Sequence, residues 1–372
     1  MPGFFVHHGK NSAVNLGGSQ LGNHPKFTGG VMKLRFPFPH LATIFFLLVL
    51  IGLTVAKNDK KPPDYRVYQY ILRQVQGDFD EISQRIVDAF QKNGWRLVAQ
   101  VDGGVPKDCP YRTRVLVLYD SSFAAGLFKA NRKTAPFAVL DRINIFQDEE
   151  GTHISVVNPH SIVRTVMMDD WAFEDLSEAH LQKIRATITG AVEGKISFRT
   201  YGQKRGKGHI GKTMGVMAGG DFDKKLEDIA VVPNTDWKTV AAKVKEAMSK
   251  EGPKWGMHQV FELDLPEYQT AIFGTTGTPM DSKSFSIVKA GSDKRRKHFK
   301  CPGLAHAAAY PIEVVVTQEP EGVKVRLVNV MYRMKMYFED AGKWAFMKNM
   351  GMPGSIASEI KTQIQSALGT SR

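Results

Sequence analysis

A run of seventeen residues in this chain, Asp78 to Gly94, recurs farther along without a gap. Asp78, Phe79, Ile82, Ile86, Ala89, Phe90 and Gly94 match Asp236, Trp237, Val240, Val244, Ala247, Met248 and Gly252, at a constant offset of 158. Each copy reads as a carboxylate cap, an apolar stripe at three- and four-residue steps, and a terminating glycine. Duplication of one supersecondary unit leaves this kind of trace. The repeat constrains architecture and leaves the chemistry open.

Around it, 372 residues with 42% hydrophobic and 23% charged content give room for two domains and a leader. A formal net charge of +13 favours anionic partners: lipid head groups, acidic proteins, small anionic ligands or nucleic acid. The leader narrows that set. Leu41 to Ala56 is an uninterrupted apolar run, short for a membrane-spanning helix and suited to the apolar core of a signal peptide. Lys33 and Arg35 flank it, and Thr54 and Ala56 place small residues before a cut at Lys57. Met32 then reads as the initiator, residues 1–31 as an upstream extension, 32–56 as the signal peptide and 57–64 as a linker. An uncleaved N-terminal anchor is the alternative. Either way the chain is expected to be exported, periplasmic or secreted, or held at a membrane, which disfavours nucleic acid as a partner. Export also permits a disulfide. With only Cys109 and Cys301 in the chain, two unpaired thiols are expected in preference to one bridge across the repeats.

The pattern divides the rest into a first repeat domain (65–195), a Gly/Lys-rich connector (196–234) and a second repeat domain (235–370). In the first, strands are expected over 67–75, 95–101, 111–119, 137–146 and 152–157, with helices from Asp78, over 123–130 and around Leu181, Ile184 and Ile188. Asn158-Pro159 is expected to stop the last strand. The second is expected to follow with a helix from Asp236, strands near 259–263 and 284–288, a hairpin joining 312–317 to 323–330, and a closing helix through Ile356, Ile360 and Ile364. Helices interspersed with hairpins predict an α+β fold: two tandem related domains, each a mainly antiparallel sheet with helices packed on one face.

At the hairpin the sequence resembles a known family. Val139-Leu140-Asp141-Arg142-Ile143-Asn144-Ile145-Phe146, an acidic-Gly turn and Val156-Val157-Asn158-Pro159 are similar to the hairpin of the domain-of-unknown-function 302 family. Tyr310-Pro311-Ile312-Glu313-Val314-Val315-Val316 and Val328-Asn329 repeat it, and Cys301-Pro302-Gly303-Leu304-Ala305-His306 looks like that family's Cys-Asn-Pro segment. The resemblance spans about 65–195 and 235–370. It implies a small α+β domain, often dimeric, without an established activity, so a tandem copy would pack as an intramolecular pseudo-dimer. The family's Pro-Cys pair is Leu140-Asp141 in one copy and Pro311-Ile312 in the other, which argues against a thiol-dependent role.

Other motifs have plainer readings. Gly206-Lys207-Gly208-His209-Ile210-Gly211-Lys212-Thr213 satisfies the phosphate-loop spacing, but Gly215, Gly219 and Gly220 interrupt the helix such a loop needs. Residues 202–220 are therefore expected to form a flexible basic connector. Cys301, His306, His298, Met334 and Met336 are the candidate metal donors, soft or borderline ligands weighed against ordinary core packing of methionine on a strand over 331–337. Lys204, Arg205 and Lys207, with Lys294, Arg295, Arg296 and Lys297, are the candidate contacts to an anionic membrane or acidic partner, weighed against a merely solvated face. No complete catalytic constellation stands out. The sequence thus predicts an exported, non-enzymatic binding or interaction protein holding a ligand between its sheets or at the repeat interface, with a metal-binding or redox accessory as the rival and no cofactor assigned.

Overall fold

The computed structural model describes residues 65–169, 172–205, 219–291 and 296–370. The leader, the phosphate-loop pattern with Lys207, and Lys294 and Arg295 lie outside these residues. No helix among the described residues is long and apolar enough to cross a membrane.

Two antiparallel sheets organise the chain. In the first half β1 (Tyr65–Val75), α1 (Phe79–Lys92), β2 (Arg96–Asp102), β3 (Thr113–Tyr119), α2 (Ser121–Ala130), β4 (Leu140–Asp148), β5 (Gly151–Val157), α3 (Pro159–Val166) and α4 (Glu174–Ala191) follow in order. Then come β6 (Lys195–Ile196) and β7 (Thr200–Arg205), which both pair with the outer edge of β1. The second half runs β8 (Leu226–Val232), α5 (Trp237–Met248), β9 (His258–Leu265), β10 (Thr270–Thr276), α6 (Thr278–Gly291), β11 (Ile312–Glu319), β12 (Gly322–Val328), α7 (Val330–Phe338), α8 (Lys343–Met347) and α9 (Gly351–Leu368). The seven-stranded sheet is ordered β2-β3-β4-β5-β1-β6, with β7 also on β1, and the five-stranded one β9-β10-β11-β12-β8. Setting β6 and β7 aside, the two halves share one strand order.

The shared motif folds as its pattern requires at its start. Asp78 Oδ1 accepts the backbone N–H groups of Asp80 and Glu81 at 2.8 and 3.1 Å, and Asp236 Oδ1 those of Lys238 and Thr239 at 2.9 and 3.1 Å. Each cap satisfies helix-start donors that have no partner within the helix. The asparagine after each hairpin also plays one role twice. Asn158 N–H reaches Val67 O at 2.8 Å and Asn329 N–H reaches Lys225 O at 2.7 Å, while their side-chain oxygens accept from His160 N–H and Tyr332 N–H at the next helix start.

Several expectations need correction. Asn158-Pro159 ends β5 but also begins α3, because proline at the first helical position gives up an N–H that would have had no partner. The stretch 284–288 is helical: Met280, Ser284, Phe285 and Val288 bury one face of α6, a period of three to four that outweighs its strand-like composition. Residues 331–337 likewise lie in helix α7. The span 196–234, read as a connector, contains the second residue of β6 and all of β7 and β8, and β8 supplies an edge strand of the second sheet. The cysteines are bridged: Cys109 and Cys301 form a disulfide with Cα atoms 5.9 Å apart, which overturns the expectation of unpaired thiols.

Along the central strands of the first sheet, side chains alternate between two cores. Leu116, Leu118, Ile143 and Ile145 face α1 and α4 with Ile86, Phe90 and Ile184, while Val115, Val117 and Phe146 join a second core shared with Leu304 and Ala308 of the other half. Both faces of β3 and β4 are therefore dry, which explains the apolar run Val115–Tyr119 in β3, while β4 buries Asp141, Arg142 and Asn144 among its apolar residues. At this seam Arg142 pairs with Glu313 at 3.0 Å, and Arg333 pairs with the same carboxylate at 3.2 Å. Burial pushes the Glu313 carboxyl up, yet the two guanidiniums hold it below its ordinary range. Asn144 donates to Leu304 O at 2.8 Å. The β2–β3 loop closes over α6, where Asp281 accepts Gly104 N–H at 3.1 Å and the Thr276 hydroxyl at 2.6 Å, and burial raises its carboxyl to about 7.

Candidate functional site

Where β1 and β7 of the first half meet the 296–306 segment of the second, a cleft of about 480 Å³ opens. Its first wall comes from the sheet edge: Arg66, Tyr70 and Arg73 on β1, and Arg199 to Gly202 at the start of β7. Pairing of β7 with β1 fixes that wall, since Thr200 lies opposite Gln69 and Tyr201 opposite Tyr68. The second wall carries Arg296, His298, Phe299, Cys301, Pro302 and Ala305, with Asp340 behind them. Asp148 and Glu150 of the β4–β5 turn complete the lining. The disulfide ties Cys301, and with it this wall, to the first half.

The charges are arranged unevenly. Arg73 is paired with Glu150, and Arg296 contacts Asp340 at 3.3 Å. Arg66 donates to Gly202 O at 3.0 Å, and neither Arg66 nor Arg199 pairs with a carboxylate among the described residues. Burial pushes the Tyr70 hydroxyl up to about 12 with help from Asp148, against the opposing pull of Arg73, Arg199 and Arg296. Three guanidiniums thus act on one hydroxyl, and no described residue hydrogen-bonds to that hydroxyl. Tyr201 differs. Its hydroxyl is engaged by Ser155 Oγ at 2.8 Å and Ala305 O at 2.7 Å, so it serves the wall.

Two of the candidate donors lie on the cleft and a third lies behind it. His298 is exposed beside Phe299, with ring centroids 4.3 Å apart. His306 is fully buried, its Nε2 at 3.1 Å from both Asp340 oxygens. Burial pushes Asp340 up, but His306 and Arg296 beside it hold its carboxyl below the usual range. Cys301 has no thiolate to offer a metal, because its sulfur is in the disulfide. Met334 and Met336 sit on helix α7, about 200° apart around its axis, so they do not share the face a strand would have given them. The five proposed donors therefore do not make one ligand set.

Among the described residues, Asp148, Glu150 and His153 come closest to a metal-binding group. They satisfy one another and their neighbours. His153 Nδ1 accepts Gln74 N–H at 3.4 Å, which places the ring proton on Nε2, facing Asp148 Oδ1 at 2.7 Å, and Glu150 is taken by Arg73.

Of the basic candidates, Arg296 lines the cleft and Lys297 is exposed beside it. Lys204 and Arg205 end β7, paired through the backbone with Arg66 and Tyr65. The residues that sequence reasoning missed are Arg66, Tyr70, Arg73, Arg199 and Tyr201. One signal was available: Arg66, Tyr68 and Tyr70 alternate along a strand, and Arg199-Thr200-Tyr201-Gly202 follows the first closing helix.

Fold and cleft together define an α+β protein of two antiparallel sheets with a basic, aromatic-lined site between its halves. Among solved structures, about a third of the chain is similar to an uncharacterized conserved protein DUF302 from Bacillus stearothermophilus, with 17% identity and a TM-score of 0.30. The match covers 34% of this chain and 98% of that one. No family model and no curated protein matches the chain.

Proposed function

We propose that this is an exported, non-enzymatic binding protein, built from two tandem DUF302-like units packed as an intramolecular pseudo-dimer, that holds a small anionic ligand in the seam cleft. The observation that carries the reading is the gathering of Arg66, Arg73, Arg199 and Arg296 around one cavity to which both halves contribute. A site of this size, at a junction and mixing aromatic with convergent charged groups, suits a small ligand. Duplication is supported by the common strand order and by the paired roles of Asp78 with Asp236 and Asn158 with Asn329. Export is supported by the Leu41–Ala56 leader and by the disulfide, since such bonds persist in oxidising compartments.

Calorimetric titration of the mature chain with acetate, inorganic phosphate and benzoate tests the cleft. Binding of at least one anion, weakened by raised salt and by Arg199→Ala, supports the reading. Absence of any binding, or binding indifferent to Arg199, overturns it. Mass spectrometry of the purified protein tests export, where an N-terminus at Lys57 is the expected result and a peptide spanning Ala56–Lys57 the contrary one.

A further inference from the structure

We propose that the seam cleft is specific for an aromatic monocarboxylate, a ring bearing one acid group, over inorganic oxyanions and aliphatic acids. The inference rests on the anion-binding reading above and deepens it.

The charge count sets the first limit. Four guanidiniums face three carboxylates, Asp148, Glu150 and Asp340, leaving a formal excess of one positive charge. A dianionic phosphate would meet those carboxylates without enough cations to offset them, whereas one carboxylate matches the excess. The excess is also localised. Arg73 and Arg296 already have acidic partners, so the uncompensated guanidiniums are Arg66 and Arg199, both on the β1–β7 wall. Arg66 is steadied by its bond to Gly202 O, which leaves further N–H groups of its planar fork for a bidentate carboxylate.

The rest of the lining sets the second limit. Tyr70 and Phe299 are only partly covered by protein, and Pro302 and Ala305 add apolar surface. Tyr70 packs against Tyr201 with centroids 4.7 Å apart, and the Arg73 guanidinium lies 5.5 Å from its ring centre. The ring is thus held in place while its hydroxyl has no described partner. A cavity of about 480 Å³ is far larger than one oxyanion needs, and an acid without a ring would leave this aromatic surface wet. A ring-bearing acid covers it and can also accept from the Tyr70 hydroxyl.

The test is calorimetric or NMR titration of the mature, disulfide-bonded chain with benzoate, its neutral isostere benzamide, acetate and inorganic phosphate. Benzoate is expected to bind at least tenfold more tightly than each of the other three. Arg199→Ala, at an exposed position, should weaken benzoate about tenfold, and Phe299→Leu should weaken benzoate while leaving acetate unchanged. If acetate or phosphate binds as tightly as benzoate and depends on Arg199, the ring specificity is wrong and the anion cleft stands. If benzamide equals benzoate, the acid group is not read and the proposal fails. If none of the anions binds, or Arg199→Ala changes nothing, the cleft reading falls and this inference with it.

Discussion

Gly94 and Gly252 hold the same place in the repeated motif and are glycine for different reasons. Gly94 follows the end of α1 with φ +90°, in open space, where a side chain would be strained by the backbone alone. Gly252 lacks that conformation, and helix α5 has already ended at Met248. A Cβ there would lie 2.0 Å from Glu359 Oε1. Glu359 reaches from the closing helix α9 to accept the N–H groups of Lys254, Trp255 and Met257 at 2.9 to 3.0 Å, drawing the 252–257 loop down. Gly277 permits the same arrangement, since its Cβ would come within 2.2 Å of Trp255 O. The first half has Asp120 in that position, at the end of β3. There Asp120 caps α2 and takes Lys183 Nζ at 2.7 Å, while Trp95 and His180 close on Asp141 at 2.9 and 2.8 Å. One fold thus seals the same corner with a side-chain network in one half and with a carboxylate on backbone amides in the other. The two halves share a strand order, and each has its own polar closure at this corner.

The largest test asks whether the halves are stable apart. Cys109 and Cys301 are 192 residues apart in sequence, and a loop that long gives about 5 kcal/mol of stabilisation in the chain-entropy account of disulfides. Cys109→Ser with Cys301→Ser should lower the free energy of urea unfolding by that order, and a loss under a fifth of it would mean the seam holds without the bridge. Next in size is Arg142→Met, which leaves the buried Glu313 with Arg333 alone. A cost of about 4 kcal/mol is expected, with the two halves ceasing to unfold in one transition. A single coincident transition by fluorescence and circular dichroism would show the seam does not depend on that pair.

Within the second half, Glu359→Ala should cost about 3 kcal/mol, because three loop amides lose a charged acceptor. Gly252→Ala should be of similar cost in the native chain and nearly neutral once Glu359 is Ala. Additivity of the two changes in a double-mutant cycle would refute the steric explanation of Gly252. The closure of the first half is expected to respond to acid. Burial opposes ionisation of Asp120, yet Lys183 and Ser122 bring its carboxyl to about 2. A carboxyl depressed below its unfolded value stabilises fully above pH of about 4 and loses that contribution as pH falls through about 2, a change of about 2 kcal/mol. Hydrogen exchange between pH 4 and 2 should therefore loosen the corner around Asp120 and α2, and Lys183→Met should flatten the effect.

The sequence made the scaffold legible because caps, apolar periods and hairpin turns act locally. Asp78, Asp236 and the Glu319–Gly322 turn each work within a few residues of themselves, as does the Asn158 cap on His160. Misreadings came where a distant partner decides the outcome. The stretch 284–288 has strand-like composition, but α6 is set by burial against the rest of the second half, and the disulfide depends on a spatial approach that spacing cannot reveal. The cleft was legible only in part. Arg296 stood out in a basic run and His298 as a candidate metal donor, whereas Arg66, Tyr70 and Arg199 became a group only when β7 paired with β1.

Gly94→Ala is the smallest of the expected effects and the sharpest control. Its Cβ would meet nothing within 4 Å, so the only cost is holding alanine at φ +90°, about 1 kcal/mol. That cost should not depend on any other side chain: it should be the same with Glu359 intact or removed, and the same at pH 3 and pH 7. Gly94→Asn should recover part of it, because asparagine tolerates positive φ better than alanine, while Gly252→Asn should recover nothing and be worse for its bulk. Thermal unfolding of the four single variants reads this directly. If asparagine rescues both sites or neither, the two glycines answer to one constraint and the contrast between the halves is lost at the motif that first revealed them.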